Sequence, residues 1–469
     1  AVVRHEDDTH SLPQYRCRAQ RPTALRPSSK TLQQQQKTSD NMRRLTIRNI
    51  GPIDDVELDL KRVNVIMGPQ SAGKSCILKI ACFCAWAEKR IQLEQGKNGF
   101  SDYEFLKENL LVFHKMDGFI REGSMFSYKT GHVSFKVDFD KKDDGMFSMA
   151  FNKKGHWEYR RSRVAYIPAE RNIVAVIPNW FEVSLGNTNL KNFVSDWNMA
   201  RNLSDTSQEL SILNLGVQYY YDADRKQDMV RMANGKPLRF ADASSGVQSV
   251  VPMWVYMDYL FHKQYQELGS NKLSIDADNE NILQHIYGKK YKPGLAKRIG
   301  NRQAYIGKIG MGKLAFANED EYKECKSLFN SFTQTAYSDI YLEEPEQNLF
   351  PVTQVTLIET LMAEMKKHND SIFIATHSPF ILYALNNCML GYLVKDKIES
   401  GSPLLAKRDC WVNPKEVAVW EIRDGVLSSE IDKKSLTIQD KSGLIRGNYF
   451  DRVMKQVMAD FTNYIAYYD

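Results

Sequence analysis

The sequence predicts an α/β fold, and three stretches carry the prediction. GPQSAGKSC, Gly68 to Cys76, follows an apolar strand-like run and precedes a helical pattern. SDIYLEEPEQNLFP holds a second apolar run, Ile340 to Leu342, that ends on Glu343 and Glu344, and SIFIATHSP holds a third that ends on Thr376, His377 and Ser378. Buried strands that alternate with helices and end on chemically loaded loops belong to sheets with a parallel core.

The chain has 469 residues and a formal net charge of +6, long enough for a large domain with insertions and only mildly biased toward an acidic partner. Seven cysteines, an odd count with no CxxC pair, argue against a disulfide framework or a zinc ribbon and for a reducing, cytoplasmic setting. The longest apolar run, VVPMWVYMDYLF, is broken by Asp258 and too short to span a membrane. Residues 1–41 contain QQQQ and no apolar period, so a disordered extension is expected there, with Met42 as the start of the folded chain. Glu6, Asp7, Asp8 and Asp40 disfavour a transit peptide.

Along the chain, RRLTIRNIGPIDDVELDLKRVNVIMG reads as three short strands with turns at GPIDD and KR. The loop that follows fits G-x-x-x-x-G-K-[ST]. Gly68 and Gly73 let the loop Pro69-Gln70-Ser71-Ala72 turn so that backbone N–H groups from Gln70 onward, Pro69 having none, curl round phosphates, while Lys74 and the Ser75 hydroxyl reach phosphate and Mg²⁺ and Cys76 continues into the helix. That helix, SCILKIACFCAWAEKRIQLEQ, is apolar first and charged later, as a helix half-covered by a sheet would be. Residues 130–167 alternate polar and apolar and predict an antiparallel meander. Residues 178–213 read as helical, and 217–242 as strands. With no long heptad array or internal repeat, a coiled-coil arm is short or absent.

If the loop holds ATP, acidic groups are needed at a neighbouring strand end. Glu343 would hold a Mg²⁺ water and Glu344 would polarise the attacking water. A histidine at a strand end is more often structural than catalytic, but His377 beside a γ-phosphate could donate a hydrogen bond to it. In ADASSGVQSVV, the Ser-Gly turn before a helical pattern is an anion site or an ordinary N-cap.

In this order, GPQSAGKSC, SSGVQ, EEPEQNLFP and ATHSP resemble the ABC-class ATPase heads of the SMC, RecF and OLD-like (overcoming lysogenisation defect) proteins, and most of all stand-alone members that look like parts of antiphage defence systems. The resemblance implies a P-loop ATPase head over residues 42–396, with an antiparallel β lobe, a helical signature region near 175–263, an insertion near 264–335 before the Walker B strand, and a C-terminal strand and helix extension at 397–469. It implies a Walker A loop at Gly68, Gly73, Lys74 and Ser75, a Walker B carboxylate at Glu343, a catalytic base at Glu344, a D-loop from Pro345 to Leu349 and a switch histidine at His377. It further implies that Ser245, Gly246 and Gln248 bind ATP held by the other protomer of a homodimer, with higher oligomers open.

The sequence departs from that pattern in four places. Glu343 stands where Asp is usual, Val247 replaces a signature glycine, the insertion lengthens the span between Ser245 and Glu343, and no Q-loop glutamine is evident, leaving Glu170 or Arg171 in YIPAERN as substitutes. The insertion has no Asp or Glu from Asn281 to Asn318 and carries Lys289, Lys290, Lys292, Lys297, Arg298 and Arg302 among tyrosines, which suits DNA, a protein partner or a solvated loop. With no nuclease constellation evident in the tail, the expected function is an ATP-gated dimeric switch that controls a separate effector. The alternatives are a RecF-like DNA-repair ATPase and a weakly hydrolysing scaffold.

Overall fold

The computed structural model describes residues 43–468, apart from 95, 97–98, 101, 140–145, 152–156, 178–181, 205–206, 268–276, 311, 432 and 435. The expected extension at 1–41 and the start at Met42 lie outside the described residues.

The first three strands form as their alternation dictates: β1 (Arg43–Ile50), β2 (Ile53–Leu60) and β3 (Val63–Met67). β1 and β2 pair as an antiparallel hairpin from Arg43↔Leu60 to Ile50↔Ile53. β3, VNVIM, is buried at every position, the mark of a strand covered on both faces. Val63, Val65 and Met67 face one core and Ile66 the other, as a period of two requires. The helix α1 (Lys74–Glu94) follows the loop and lays Ile77, Ile80, Ala81 and Phe83 into the second core. Each such fully buried aliphatic or aromatic side chain stabilises the fold by roughly 1.5–3 kcal/mol.

β4 (Ile120–Lys129), β5 (Val133–Phe139) and β6 (Met146–Phe151) form the expected antiparallel lobe beside β1. β7 (Ser162–Ile167) does not join them; it lies at the far edge of the sheet, parallel to β14 (Tyr337–Glu343). Alternation identifies a strand but not its partner, which explains the difference. Within 178–213, expected to be helical, the described residues form α2 (Asn189–Arg201), whereas residues 210–211 are strand, recruited by the sheet that follows. A small four-stranded sheet follows, from β8 (Leu210–Ser211), β9 (Gln218–Asp222), β10 (Gln227–Arg231) and β11 (Pro237–Arg239). Then comes α3 (Ser245–Asp258), which runs on through a wider turn, Tyr259–Lys263.

The insertion builds its own small core. α4 (Ala277–Ile286), the hairpin β12 (Tyr305–Ile309) and β13 (Gly312–Phe316), and α5 (Glu319–Thr333) enclose Leu283, Ile286, Phe316, Cys325 and Phe332. β14 then enters the main sheet, followed by α6 (Pro351–Glu364), β15 (Ser371–Thr376) and α7 (Pro379–Val394).

The eleven strands run in the order β6-β5-β4-β1-β2-β17-β16-β3-β15-β14-β7, where β16 is Val417–Arg423 and β17 is Val426–Ser428. From β16 to β7 all neighbours are parallel. The strand pair expected in a C-terminal extension therefore sits inside the sheet, with β16 beside the loop-bearing β3, and a boundary at 396 would cut through that sheet. The last helix, α8 (Tyr449–Ile465), completes the chain's described elements.

Candidate functional site

Four adjacent parallel strands end at one level: Glu343 pairs with Ala375, Thr376 with Met67, and Met67 with Glu421. Ligands of parallel sheets bind beyond such carboxyl ends. Past Met67 the chain turns through Gly68 (φ 153°), Ser71 (φ 61°) and Gly73 (φ 102°). A Cβ on Gly68 would stand 2.2 Å from the Ile422 carbonyl oxygen, so glycine is required where the loop touches β16. The first N–H groups of α1 have no intrahelical acceptor and face this loop with the positive end of the helix dipole.

Lys74 is folded back on the loop, its Nζ donating to the Gly68 carbonyl at 2.9 Å and the Pro69 carbonyl at 2.6 Å. Burial lowers its pKa to about 8, against the opposing pull of Glu344 and Glu346. An anion favours the ammonium form, so the bound state keeps its proton to higher pH than the free state. ATP affinity is therefore expected to be flat below about pH 8 and to weaken by up to about tenfold per unit above it. Calorimetric titrations at several pH values check this, and Lys74→Ala should remove both the pH dependence and most of the affinity.

Glu343 closes β14 at 5 % exposure. The Ala169 N–H donates to its Oε2 at 3.3 Å, whereas its Oε1 and the nearby Tyr166 hydroxyl are buried without a hydrogen bond of ordinary geometry. A buried carboxylate oxygen left over in this way fits a cation, and Ser75 is the second residue of α1, just past the loop that ends β3. Glu344 has φ 41°, a left-handed conformation that costs a non-glycine residue about 1 kcal/mol or more. Its N–H donates to the Ala375 carbonyl at 2.9 Å, and one carboxylate oxygen lies 3.4 Å from His377 Nε2. Burial and the Lys74 charge hold the His377 pKa below its usual value, with Glu344 opposing, so the imidazole is neutral at neutral pH. Glu346 fixes the histidine's backbone: its carboxylate accepts from the Thr376 hydroxyl at 2.8 Å and from the His377 N–H.

Arg171 ties these parts together. Fully buried, it donates to the carbonyls of Pro168 (3.2 Å), Glu343 (2.9 Å), Glu344 (2.8 Å) and Ser249 (3.0 Å), and burial holds its pKa down to about 10. Of the two candidates in YIPAERN, Glu170 is the exposed one and Arg171 is committed to the backbone. Ser249 belongs to α3, so the arginine links the helical region to the glutamate strand. Gly246 adds a second link: a Cβ there would meet the Asn348 carbonyl oxygen at 2.8 Å, and Asn348 Nδ2 donates to Ser249 Oγ at 2.8 Å. Ser245 is exposed at the start of α3, Gln248 donates to the Ala241 carbonyl at 2.7 Å, and Val247 packs in the large core.

Gly68 to Cys76, Glu343, Glu344 and His377 thus come together, while Ser245, Gly246 and Gln248 sit at the start of α3 against the Pro345–Leu349 loop of their own chain. Sequence reasoning missed Glu346 as an anchor and the contacts of Arg171, because carbonyl acceptors leave no trace in residue type. In the insertion, Lys290 pairs with Glu324 and Arg298 with Glu321, both on α5. Tyr287 and Tyr291 are core residues, whereas Lys289, Lys292, Lys297 and Arg302 are exposed. The aromatic interleaving is therefore packing, since the rings fill the space between α4 and the hairpin.

A family model described as an AAA domain matches residues 44–229, from β1 into β10. No curated protein sequence matches the chain. Among solved structures, an SMC head domain from Thermotoga maritima is similar at 9 % identity over 73 % of this chain and 92 % of that one, with a TM-score of 0.32. An SmcHead bound to the C-winged helix domain of ScpA is similar at 7 % identity over 82 % and 95 %, TM-score 0.34. The recombination mediator RecF with ATP, of the RecFOR pathway, is similar at 9 % identity over 84 % and 99 %, TM-score 0.28. Among the described residues no helix is long and apolar enough to cross a membrane.

Proposed function

We propose that this chain, similar over residues 44–229 to AAA domains, is an ATP-hydrolysing head of the SMC and RecF kind that works as an ATP-gated dimeric switch. The observation that carries the reading is the convergence of Lys74, Glu344 and His377 at the ends of three adjacent strands. Lys74 and the α1 N-terminus would hold the phosphates, and Ser75 with Glu343 would hold Mg²⁺, which would supply neutralisation of phosphate charge. Glu344, lifted out of the strand by its left-handed turn, accepts the proton of the attacking water, and neutral His377 donates a hydrogen bond toward the γ-phosphate. Among the described residues of one copy, Gln70 and Ser71 leave this side of the loop exposed. The exposed start of α3 and the apolar Phe350 and Val352 beside the Pro345–Leu349 loop supply a surface suited to a second head.

In this reading ATP closes two heads, hydrolysis reopens them, and Arg171 carries the change from the Glu343–Glu344 backbone to α3. Through the family resemblance the reading extends to control of a separate effector in antiphage defence. The exposed lysines of the insertion are the surface for a nucleic-acid backbone. The test mixes two Glu344→Gln populations, one carrying Gln70→Cys and one Ser245→Cys, with a short bismaleimide. Cross-linking between copies that needs Mg-ATP and disappears with Lys74→Ala is the expected outcome; cross-linking indifferent to nucleotide counts against a shared site.

A further inference from the structure

Cys388 of α7 and Cys410 meet where a 3₁₀ stretch, Pro403–Cys410, lies against α6 and α7. The two backbones touch there. The Val412 N–H donates to the Cys388 carbonyl at 3.2 Å, and a Cβ on Gly391 would stand 2.4 Å from the Trp411 ring, so α7 carries glycine where that ring crosses it. Cys388 and Gly391 are three residues apart and share a face of the helix. Both cysteines are free thiols, 2 % and 6 % exposed. The Cys388 thiol donates to the Cys410 sulfur, and the Cys410 thiol donates to the Lys407 carbonyl at 3.0 Å. The stretch is also fastened to α6 and the turn after it: Lys407 pairs with Glu359 at 2.5 Å, and the Lys366 ammonium donates to the Asp409 carbonyl at 2.5 Å.

We propose that Cys388 and Cys410 are a peroxide-sensitive dithiol that closes to a disulfide within the folded chain, Cys410 attacking the oxidant and Cys388 resolving. Electrostatics divides the roles. The hydrogen bond from Cys388, helped by Lys407 and Lys366, holds the Cys410 pKa below that of an ordinary thiol against burial and Glu359, while giving that bond and being buried push Cys388 up. Burial instead raises Cys76, Cys82, Cys84 and Cys325. A low-pKa thiol beside a resolving partner is the arrangement of oxidant-sensing cysteines, and disulfides that form in reducing compartments are ordinarily transient and of this sensing kind. The Cys410 thiolate attacks one peroxide oxygen; an S–O bond forms, the O–O bond breaks, and the departing hydroxide takes a proton to become water. The Cys388 sulfur then attacks the sulfenic acid at Cys410; the S–S bond forms, the S–O bond breaks, and the Cys388 proton leaves with that hydroxyl as a second water. Each sulfur gives up one electron and the peroxide takes both. Because α7 starts directly after His377 and Ser378, the bond ties the 403–410 stretch to the helix on which the histidine turn ends.

This chemistry is independent of nucleotide, and its test uses the full wild-type chain without ATP. The reduced protein is treated with hydrogen peroxide, blocked with iodoacetamide under denaturing conditions and digested without reductant. Two of the seven thiols should be lost, in a peptide that joins Cys388 to Cys410 and that dithiothreitol separates. A cross-link over a short loop restricts the unfolded chain, so the oxidised protein should melt about 2 °C or more above the reduced one. Cys388→Ala should leave Cys410 as a sulfenic acid that dimedone captures, and Cys410→Ala should leave Cys388 reduced. The wild-type peptide map decides the pairing by itself, whether or not a variant folds. Thiols that all remain alkylatable overturn the proposal, as does a bond that joins any other pair of cysteines or two copies of the chain. An oxidised protein that melts no higher than the reduced one also overturns it, since the fold would then not accommodate the bond.

Discussion

Glu344→Gln is expected to lower ATP turnover by about 100- to 10,000-fold, roughly 3–5 kcal/mol of barrier, while the ATP dissociation constant stays within a few-fold of wild type. The split is the informative part. Gln keeps the size and hydrogen-bonding reach of the side chain but cannot take a proton, so a general base loses rate without losing binding. The backbone supports this role: a glutamate at φ 41° is held by the Ala375 carbonyl on one side and the Arg171 guanidinium on the other. Strain maintained by its surroundings at a strand end is the pattern expected where a side chain has to be aimed. Steady-state phosphate release and a fluorescent-nucleotide titration measure the two quantities; unchanged turnover would remove Glu344 from the chemistry.

Arg171→Met should be the most damaging substitution to the fold near the site, at about 3–5 kcal/mol. Methionine replaces much of the volume and relieves the desolvation of a buried cation, but it leaves the carbonyls of Pro168, Glu343, Glu344 and Ser249 without their donor. Two of those belong to the glutamate turn and one to α3, so turnover should fall together with stability. Arg171→Lys keeps charge but loses the planar fork that reaches several acceptors at once, and should recover only part of either. Urea unfolding with an unchanged slope and a lowered midpoint is the expected record; a loss below about 1 kcal/mol would show that the carbonyls find other partners.

Much of this was legible from residue order. The strand, loop and helix from Arg43 to Glu94 follow from alternation, a run of glycines and a helical period, all local signals. The paired glutamates and Thr376–His377 were legible because apolar runs deliver them. What local signals cannot carry is who neighbours whom. β7 reads as one more alternating strand of the meander, and nothing in RVAYIP says that it pairs with β14, some 170 residues away in sequence (Tyr337↔Ser162). In the same way VAVWEIR reads as part of a terminal strand pair, while the register Glu421↔Met67 puts it beside the phosphate loop. Lys290 and Arg298 look like ligands for phosphate until α5 supplies Glu324 and Glu321. Arg171 is the extreme case, since its partners are main-chain oxygens that any sequence would offer.

The position of β3 also sets a timetable for synthesis. Its two neighbours in the sheet pair through Ile372↔Val63 and Val417↔Val63, so both edges of the strand stay open until more than 300 further residues have been made. Contacts so distant along the chain form late and slowly, and an apolar strand with unpaired edges is prone to wrong association. The nascent protein therefore carries a phosphate loop that cannot take its final shape against Ile422 until β16 has been made. A chain cut short before β16 is expected to accumulate as aggregate rather than as a competing, half-active head.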